Sequence, residues 1–582
     1  MKSFFKTTFA CVLGVFIAGI LLFWLFIGSV ISLATFSTTP SYTSKENTIL
    51  ILKLEGELTE RAKDDPLNIL NSGEYIPKAG LDEILKAIQI AKWDNNITGI
   101  YLDISNFTGG YASIEEIRNA LSDFKKSGKF IVAYADMYTQ REYYLATAAD
   151  WVFMNTIGML DFRGLSTTPT FYKNTLDKIG VEMQVFRVGT YKSAVEPYIT
   201  TQMSEANRKQ TASYLNSIWE TIISDIAEER QIEKHILNDY ADSLVSLQEP
   251  QWVQKTKLVD SLLYRPEVES FLTQLCGVEN INDINWASPT DIVSTAKKIK
   301  SKDRIAIVYA VGSIDGISSN GIISDKLVRT LKEVQDDESV KGVVLRVNSP
   351  GGSAFGSEQI WHAVEQLKQT KPVAVSMGDY AASGGYYLSC GANRIFANPA
   401  TLTGSIGIFG LVPNAQKLLS EKIGLSFDEV KTNKYGAFPT IERPMTNDEK
   451  RKMQTYINRG YDLFIKRCAQ GRKMSVDQIK NIAEGRVWSG KDALKIGLID
   501  ELGDMQKATE WIAKECDITD YEVIEYPKKK SFYEELMNEL RNGVSQSFMR
   551  LFLGNEYQYK KILDQIKQID PIQAQMENIE LE

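Results

Sequence analysis

Along most of its length the chain alternates short runs of β-branched and aliphatic residues with longer stretches in which apolar side chains recur every three or four positions. "GVVLRV" is followed by "SEQIWHAVEQLKQ", and "PVAVSM" by "SGGYYLSCGA". In the first amphipathic stretch Ile360, Val364 and Leu367 fall at i, i+4 and i+7, one face of a helix. Strands alternating with helices predict βαβ units around a mainly parallel sheet, an α/β fold.

The pattern occurs twice. "ITGIYLDISNFTGGYASIEEIRNAL", from Ile97, runs parallel to "VKGVVLRVNSPGGSAFGSEQIWHAV", from Val340, with a one-residue adjustment near the double glycine. Downstream, "KFIVAYADMYTQREYYLATAADWVFMN" lies over "KPVAVSMGDYAASGGYYLSCGANRIFAN", and "KIGVEMQVFRVGTYKS" over "KIGLSFDEVKTNKYGA". Upstream, "ILILKLEGEL" matches "IAIVYAVGSI". Internal similarity on this scale predicts two copies of one fold, at roughly 49–200 and 305–450. Residues 203–300 and 444–515 are helical in pattern, the first set linking the copies and the second closing the second one. The expected division is 1–44 as a membrane anchor, 45–300 as the first copy with its linker, 301–527 as the second copy, and 528–582 as a helical tail. In that tail Phe532, Leu536 and Leu540 share a face, suited to a partner or to lipid and, in preference, to packing on the chain's own domain.

The first residues follow a different rule. After Lys2 and Lys6 no charge occurs until Lys45, and Phe9–Ile31 is 23 residues of almost purely apolar chain. As a helix it spans roughly 34 Å at about 1.5 Å per residue, enough to cross a bilayer. It is too long for the apolar core of a cleaved signal peptide. Lysines ahead of the span place the N-terminus in the cytoplasm and everything after it on the outer face.

With 582 residues and 43% hydrophobic composition the chain can bury more than one core. A net charge of −8 with no basic stripe argues against nucleic acid as a partner. Cys11, Cys276, Cys390, Cys468 and Cys516 have no CxxC spacing, so neither a metal site nor a disulfide framework is expected, and they read as buried small hydrophobes.

The chemistry-bearing residues sit where strands end. Ser383, in "GDYAASGGYYLS", follows the strand "PVAVSM" and opens a helix, among neighbours small enough to admit a substrate backbone. Free N–H groups and the positive end of the helix dipole lie there, although an ordinary N-cap serine occupies the same position. "RVNSPGGS", Arg346–Ser353, ends the preceding strand, and its glycines can turn N–H groups outward to join that of Gly384 in holding an oxyanion. A plain tight turn uses the same residues.

The serine needs a base, and only two histidines exist. His235 lies in the charged stretch "EERQIEKHILNDY", and His362 points away from the apolar face of its helix. A Ser-His-Asp triad is thereby disfavoured against a Ser-Lys pair. Opposite Ser383 the first copy carries Gln140 or Arg141, and Lys192 in "GTYKSAVEPY" lies over Gly436 of the second copy. One copy holds the serine and the other the lysine, a site divided between them. As a base Lys192 requires burial that lowers its pKa toward roughly 7 to 8, and its surroundings are largely uncharged. Ser405, in "TLTGSIG", is the candidate to hold the amine.

Together "GTYKSAVEPY", "RVNSPGGS", "MGDYAASGGYYLS", "NPATLTGSIGIFG" and "GRVWSGKDALKIGLID" resemble the long, two-copy type of the signal peptide peptidase A family, also called protease IV. The likeness runs in order from the membrane span to about residue 515. It implies tandem Clp-protease/crotonase-like domains and a serine endopeptidase that degrades released signal peptides at the bacterial cytoplasmic membrane. Under this resemblance Ser383 is the nucleophile, Lys192 the general base and Ser405 its positioner, with Gly351 and Gly384 supplying oxyanion N–H groups. It also implies a homotetramer.

"GRVWSGKD", Gly485–Asp492, imitates a phosphate loop but ends in Asp where Ser or Thr is needed and follows a helical stretch, so neither ATP nor another cofactor is expected. Two rivals share these residues. An enolate-stabilising enzyme acting on CoA thioesters needs neither the serine nor the lysine, and a membrane scaffold needs no chemistry at all.

Overall fold

The computed structural model describes residues 2–36, 42–62, 80–296, 301–316, 321–529, 572–577, 579 and 581. In the first copy six strands run parallel, in the spatial order Ser261–Leu262, Trp151–Met154, Phe130–Ala135, Ile97–Thr108, Thr48–Glu57 and Asn285–Ala287. In the second, Leu402–Gly404, Val373–Ala382, Val340–Ser349, Arg304–Val311 and Glu522–Tyr526 form a parallel sheet. Val487–Ser489 adds an antiparallel edge to it. Arg394–Ala397 pairs with Val373–Ala382.

Helices cover both faces, so the central strands are apolar without alternation, as parallel sheets require. In Val340–Ser349, residues Val343, Val344, Leu345 and Val347 are all fully buried. So is the single guanidinium among them, that of Arg346.

The repeat extends into the helical stretches. Glu205–Arg230 and Asn447–Arg472 are each 26 residues long. Ser204 and Thr446 cap their N-termini, and each ends on a left-handed residue, Gln231 or Lys473. Each side-chain cap satisfies an N–H that would otherwise lack a partner and contributes about 1 kcal/mol.

The copies dock through buried polar groups. Arg346 Nε and Nη2 donate to the Glu60 carboxylate at 2.9 and 3.1 Å, and Nη1 donates to Glu116 Oε1 at 2.7 Å. Asn348 and Asn398 of the second copy also donate to Glu60 and Glu116, both at 2.8 Å. Asp379 accepts from Ser113 N at 3.0 Å and Ser113 Oγ at 2.6 Å. Apolar contact alone tolerates sliding, whereas this lattice of directed bonds fixes how one copy sits on the other.

A third sheet, not predicted from the sequence, is wholly antiparallel and bridges the copies. Its order is Gly351–Ser353, Ile572–Gln575, Phe409–Asn414 and Glu182–Arg187. The segment read as a helical tail therefore contains a strand. Phe532, Leu536 and Leu540 lie outside the described residues.

The N-terminal stretch forms one helix, Lys2–Phe36, with no charge after Lys6. Continuous side-chain description runs from Lys6 to Leu21, and among the described residues no helix is long and apolar enough to cross a membrane. Cys390 and Cys468 are buried as expected, but Cys11 is exposed and Cys276 and Cys516 are half-buried.

Candidate active site

Ser383 is the N-cap residue of helix Gly384–Ser389, yet its side chain makes no cap hydrogen bond. Its backbone is at φ 54°, ψ −110°, a conformation a serine adopts only under strain. The hydroxyl is thereby turned away from its own helix, and the capping explanation fails. At the corresponding helix start of the first copy, Thr139 does cap, accepting from Glu142 N in a reciprocal box. Gln140 and Arg141, which the sequence comparison set opposite Ser383, are the first two residues of that helix.

The Ser383 hydroxyl lies 2.8 Å from Lys192 Nζ. The amine also donates to Ser405 Oγ at 3.0 Å and Ser405 O at 3.2 Å. Lys192 is 1% exposed. Burial with no opposing carboxylate pushes the amine down to about 7, because the cation alone loses its hydration on entering the protein. Such an amine is largely neutral a little above neutrality and can accept the serine proton.

Lys192 reaches this place on a short loop after strand Glu182–Arg187, which pairs with Phe409–Asn414 of the other copy. The equivalent stretch of the second copy, around Gly436, forms no strand and is exposed. Two contacts hold the lysine loop. Gln210 Nε2 donates to Tyr191 O and Ser193 Oγ, both at 3.1 Å, while its Oε1 accepts from Val487 N across the contact at 3.1 Å. Gly485, at φ +79°, lies directly under Lys192, where a Cβ would come within 2.7 Å of the lysine Cα. Neither residue was singled out for this role from the sequence. The signal for Gly485 was present in "GRVWSGKD", which imitates a phosphate loop and serves as a floor for the lysine. Gly485→Ala is expected to displace the amine and lower kcat at least tenfold with little change in KM, as read from steady-state peptide hydrolysis.

Beside the serine, Gly351 and Gly352 take φ +103° and +153°, and the N-terminus of the Gly384 helix faces them. A Cβ on Gly351 would sit 2.7 Å from Gly384 N, in the space an oxygen must occupy to accept from that N–H. The N–H of Gly351 itself donates to Ser349 Oγ at 3.2 Å. Met576 N donates to Pro350 O at 2.8 Å, so the alternation of an antiparallel ladder makes Gly352 with Ala574 the next bonded pair. The N–H turned into the cleft is thus that of Gly352, one residue beyond the expected one. In the first copy Gly110 has φ −69° and packs against the Asp379 carboxylate, so that double glycine docks the copies and presents no anion site.

His362 is exposed and His235 has a side chain 70% exposed, so neither reaches Ser383.

Comparison with known proteins places the chain in a family. The pattern of peptidase family S49 matches residues 123–279 and 365–519, one segment in each copy. Protease 4 of Haemophilus influenzae is 37% identical over 79% of this chain and 77% of its own length. The chloroplastic serine protease SPPA of Arabidopsis thaliana is 29% identical over 92% of this chain and 78% of its own. Among solved structures, a ClpP1 mutant from Listeria monocytogenes covers 35% of this chain and 93% of its own at 14% identity, with a TM-score of 0.24. With the family pattern present twice and Protease 4 similarity across most of its length, the chain belongs to peptidase family S49 and is a serine protease of the long, two-copy signal peptide peptidase A type.

Proposed function

We propose that this protein is a membrane-anchored endopeptidase in which Ser383 attacks the peptide carbonyl and Lys192 is the general base. The observation that carries the reading is the 2.8 Å approach of a buried amine to a serine hydroxyl from the other copy. Neutral Lys192 takes the Ser383 proton as Oγ bonds to the carbonyl carbon, and the same amine returns that proton to the leaving nitrogen. Water then hydrolyses the ester with Lys192 as base again. Ser405, accepting from the amine twice, keeps its lone pair aimed at the hydroxyl. Gly384 and the glycine pair Gly351–Gly352 stabilise the oxyanion, with Gly351 supplying the space and Gly352 the N–H.

The helix Lys2–Phe36 is the anchor in this reading. Phe9, Val12, Val15, Phe16 and Leu21 project from it at 59–75% exposure, an apolar surface suited to lipid. Lys2 and Lys6 at its N-terminal end, ahead of the apolar run, favour a catalytic part on the extracytoplasmic face of the cytoplasmic membrane. Released signal peptides as substrates and a homotetrameric assembly follow from the family resemblance.

A fluorophosphonate probe tests the centre of this reading, since it reacts only with an activated serine. The expected result is stoichiometric labelling of the wild type on the peptide containing Ser383, and none in Ser383→Ala. Labelling at another serine, or none in the wild type, would remove the dyad.

A further inference from the structure

Asp315, on the loop after strand Arg304–Val311, has a left-handed backbone at φ 47°, as Ser383 and Ser405 do at 54° and 49°. A non-glycine residue keeps such a conformation only where its surroundings enforce it, and such residues gather at functional sites. Ser383 and Ser405 belong to the site already described. The contacts of Asp315 lead to the glycine pair.

Its neighbour Ile314, fully buried, runs along the outer edge of that pair. Ile314 N donates to Gly351 O, and Ser353 N donates to Ile314 O, both at 2.9 Å. In a trans peptide the C=O and the following N–H point in opposite directions. With the Gly351 oxygen turned to Ile314, the Gly352 N–H is turned away from it and into the cleft. The first copy is built otherwise. Leu58, which aligns with Ile314, donates to Thr108 O at 2.7 Å, the carbonyl before its double glycine. Thr59 stands there in place of Asp315, without the positive φ.

The Asp315 side chain closes this arrangement. Asp315 N donates to Ile322 O at 2.8 Å and Ile322 N to Ser313 O at 2.9 Å, so Ile322 flanks Ile314 on the side away from the glycines. Asp315 Oδ1 then accepts from Ser324 N at 2.8 Å, at the first residue of helix Ser324–Asp336. The N-cap position of that helix is Ile323, whose side chain cannot cap. The carboxylate supplies the missing acceptor from across the loop, where the helix dipole favours a negative charge. Its Oδ2 is seated against Gly356, 2.2 Å from where a Cβ there would be, in the first turn of helix Ala354–Lys368. That helix starts directly after Gly351–Ser353, so one side chain ties the loop carrying Ile314 to two helix starts.

We infer that Asp315 is a positioning residue for the oxyanion site: it holds Ile314 against Gly351 and so keeps the Gly352 N–H aimed at the carbonyl under attack. The inference rests on the Ser383–Lys192 reading above. As Ser383 Oγ bonds to the carbonyl carbon, its proton passes to Lys192 Nζ and the carbonyl oxygen becomes negative beside Gly352 and Gly384. That charge is absent from the bound substrate, so Asp315 acts on turnover and leaves substrate affinity alone. Without the carboxylate the loop carrying Ile314 loses its closure. The Gly351–Gly352 peptide is then free to rotate its N–H out of the cleft.

The test measures steady-state hydrolysis of a fluorogenic peptide by the full chain beside its inhibition by a peptide aldehyde. The aldehyde carbon bonds to Ser383 Oγ, the serine proton passes to Lys192, and a negative oxygen is left in the oxyanion position. Asp315→Ala is expected to lower kcat at least tenfold with KM unchanged, up to the roughly 10²- to 10³-fold that loss of a whole oxyanion donor costs. Aldehyde affinity is expected to fall by the same factor as kcat/KM, which a mere loss of folded molecules does not produce. Asp315→Asn keeps an acceptor for Ser324 N and tolerates positive φ, and is expected to retain near wild-type kcat. Should Asp315→Ala not fold, Asp315→Gly, which takes φ 47° without strain, gives the same readings. Wild-type kcat in whichever of these two folds, or a reduced kcat with unchanged aldehyde affinity, overturns the inference and leaves the dyad standing. A wild type that neither hydrolyses the peptide nor takes the fluorophosphonate probe removes the dyad and the inference together.

Discussion

Lys192→Met is expected to lower kcat/KM for peptide hydrolysis by a factor of about 10³ to 10⁴, the upper part of what a positioned base contributes. Methionine keeps the volume and the apolar contacts of the stem and removes only the amine, so the fold is retained. Thermal unfolding of the variant checks that point, and the sign of the change is informative. Burial depresses the lysine pKa from 10.5 to about 7 in the folded protein, so its neutral form is the one the fold favours. Its contribution to stability is complete above 10.5 and is lost as pH falls toward about 7. Below that the cation is buried at a cost, and Lys192→Met is expected to be at least as stable as the wild type there. The same group sets the activity profile. The cation has no lone pair to accept the serine proton, so wild-type kcat/KM is expected to fall as pH drops through about 7. A methionine variant with wild-type turnover would sink the assignment of the base.

Arg346→Met is expected to cost about 3 to 5 kcal/mol of stability, the range measured when one member of a buried ion pair is removed. Arg346 is fully buried and bonded to both Glu60 and Glu116, each contributed by the first copy. Removing the guanidinium leaves two buried carboxylates without the cation that pairs them. The effect on activity follows from the geometry of the dyad. Ser383 is carried by the second copy and Lys192 by the first, and a loosened contact between the copies separates them even where each copy stays folded. Urea unfolding and peptide hydrolysis measured on one preparation should therefore fall together. Adding Glu60→Gln and Glu116→Gln removes the unpaired charges and is expected to restore part of the stability. An unchanged unfolding midpoint for Arg346→Met would show that the contact does not depend on this cluster.

Much of this architecture follows from local rules. The runs "GVVLRV" and "PVAVSM" are apolar without alternation because both faces of a parallel strand are covered, and they appear as adjacent strands of one parallel sheet. Period and punctuation also placed Ser383 at the start of a helix and Lys192 in a loop after a strand. The scarcity of histidine pointed to an amine as the base, and comparing the copies pointed to Lys192.

What the chain order does not encode is which edges meet. The antiparallel sheet joins strands from residues 182, 351, 409 and 572, separated by more than a hundred positions at every joint, and none has a hairpin turn to signal a partner. The oxyanion geometry was likewise beyond local reading, because "GGYAS" and "GGSAF" look alike. Gly110 adopts an ordinary negative φ while Gly351 and Gly352 do not. Arg346 reads as an anomaly within a strand until Glu60 and Glu116 arrive from the other copy.

Amino-acid sequence by itself determined the two copies, their strands and helices, and the serine and lysine that face each other. Tertiary structure alone decided that they stand 2.8 Å apart and that the amine is dry. The physical reason is that backbone periodicity and turn chemistry act over a few residues. Desolvation and the strain at Ser383 arise only when distant surfaces close on one another.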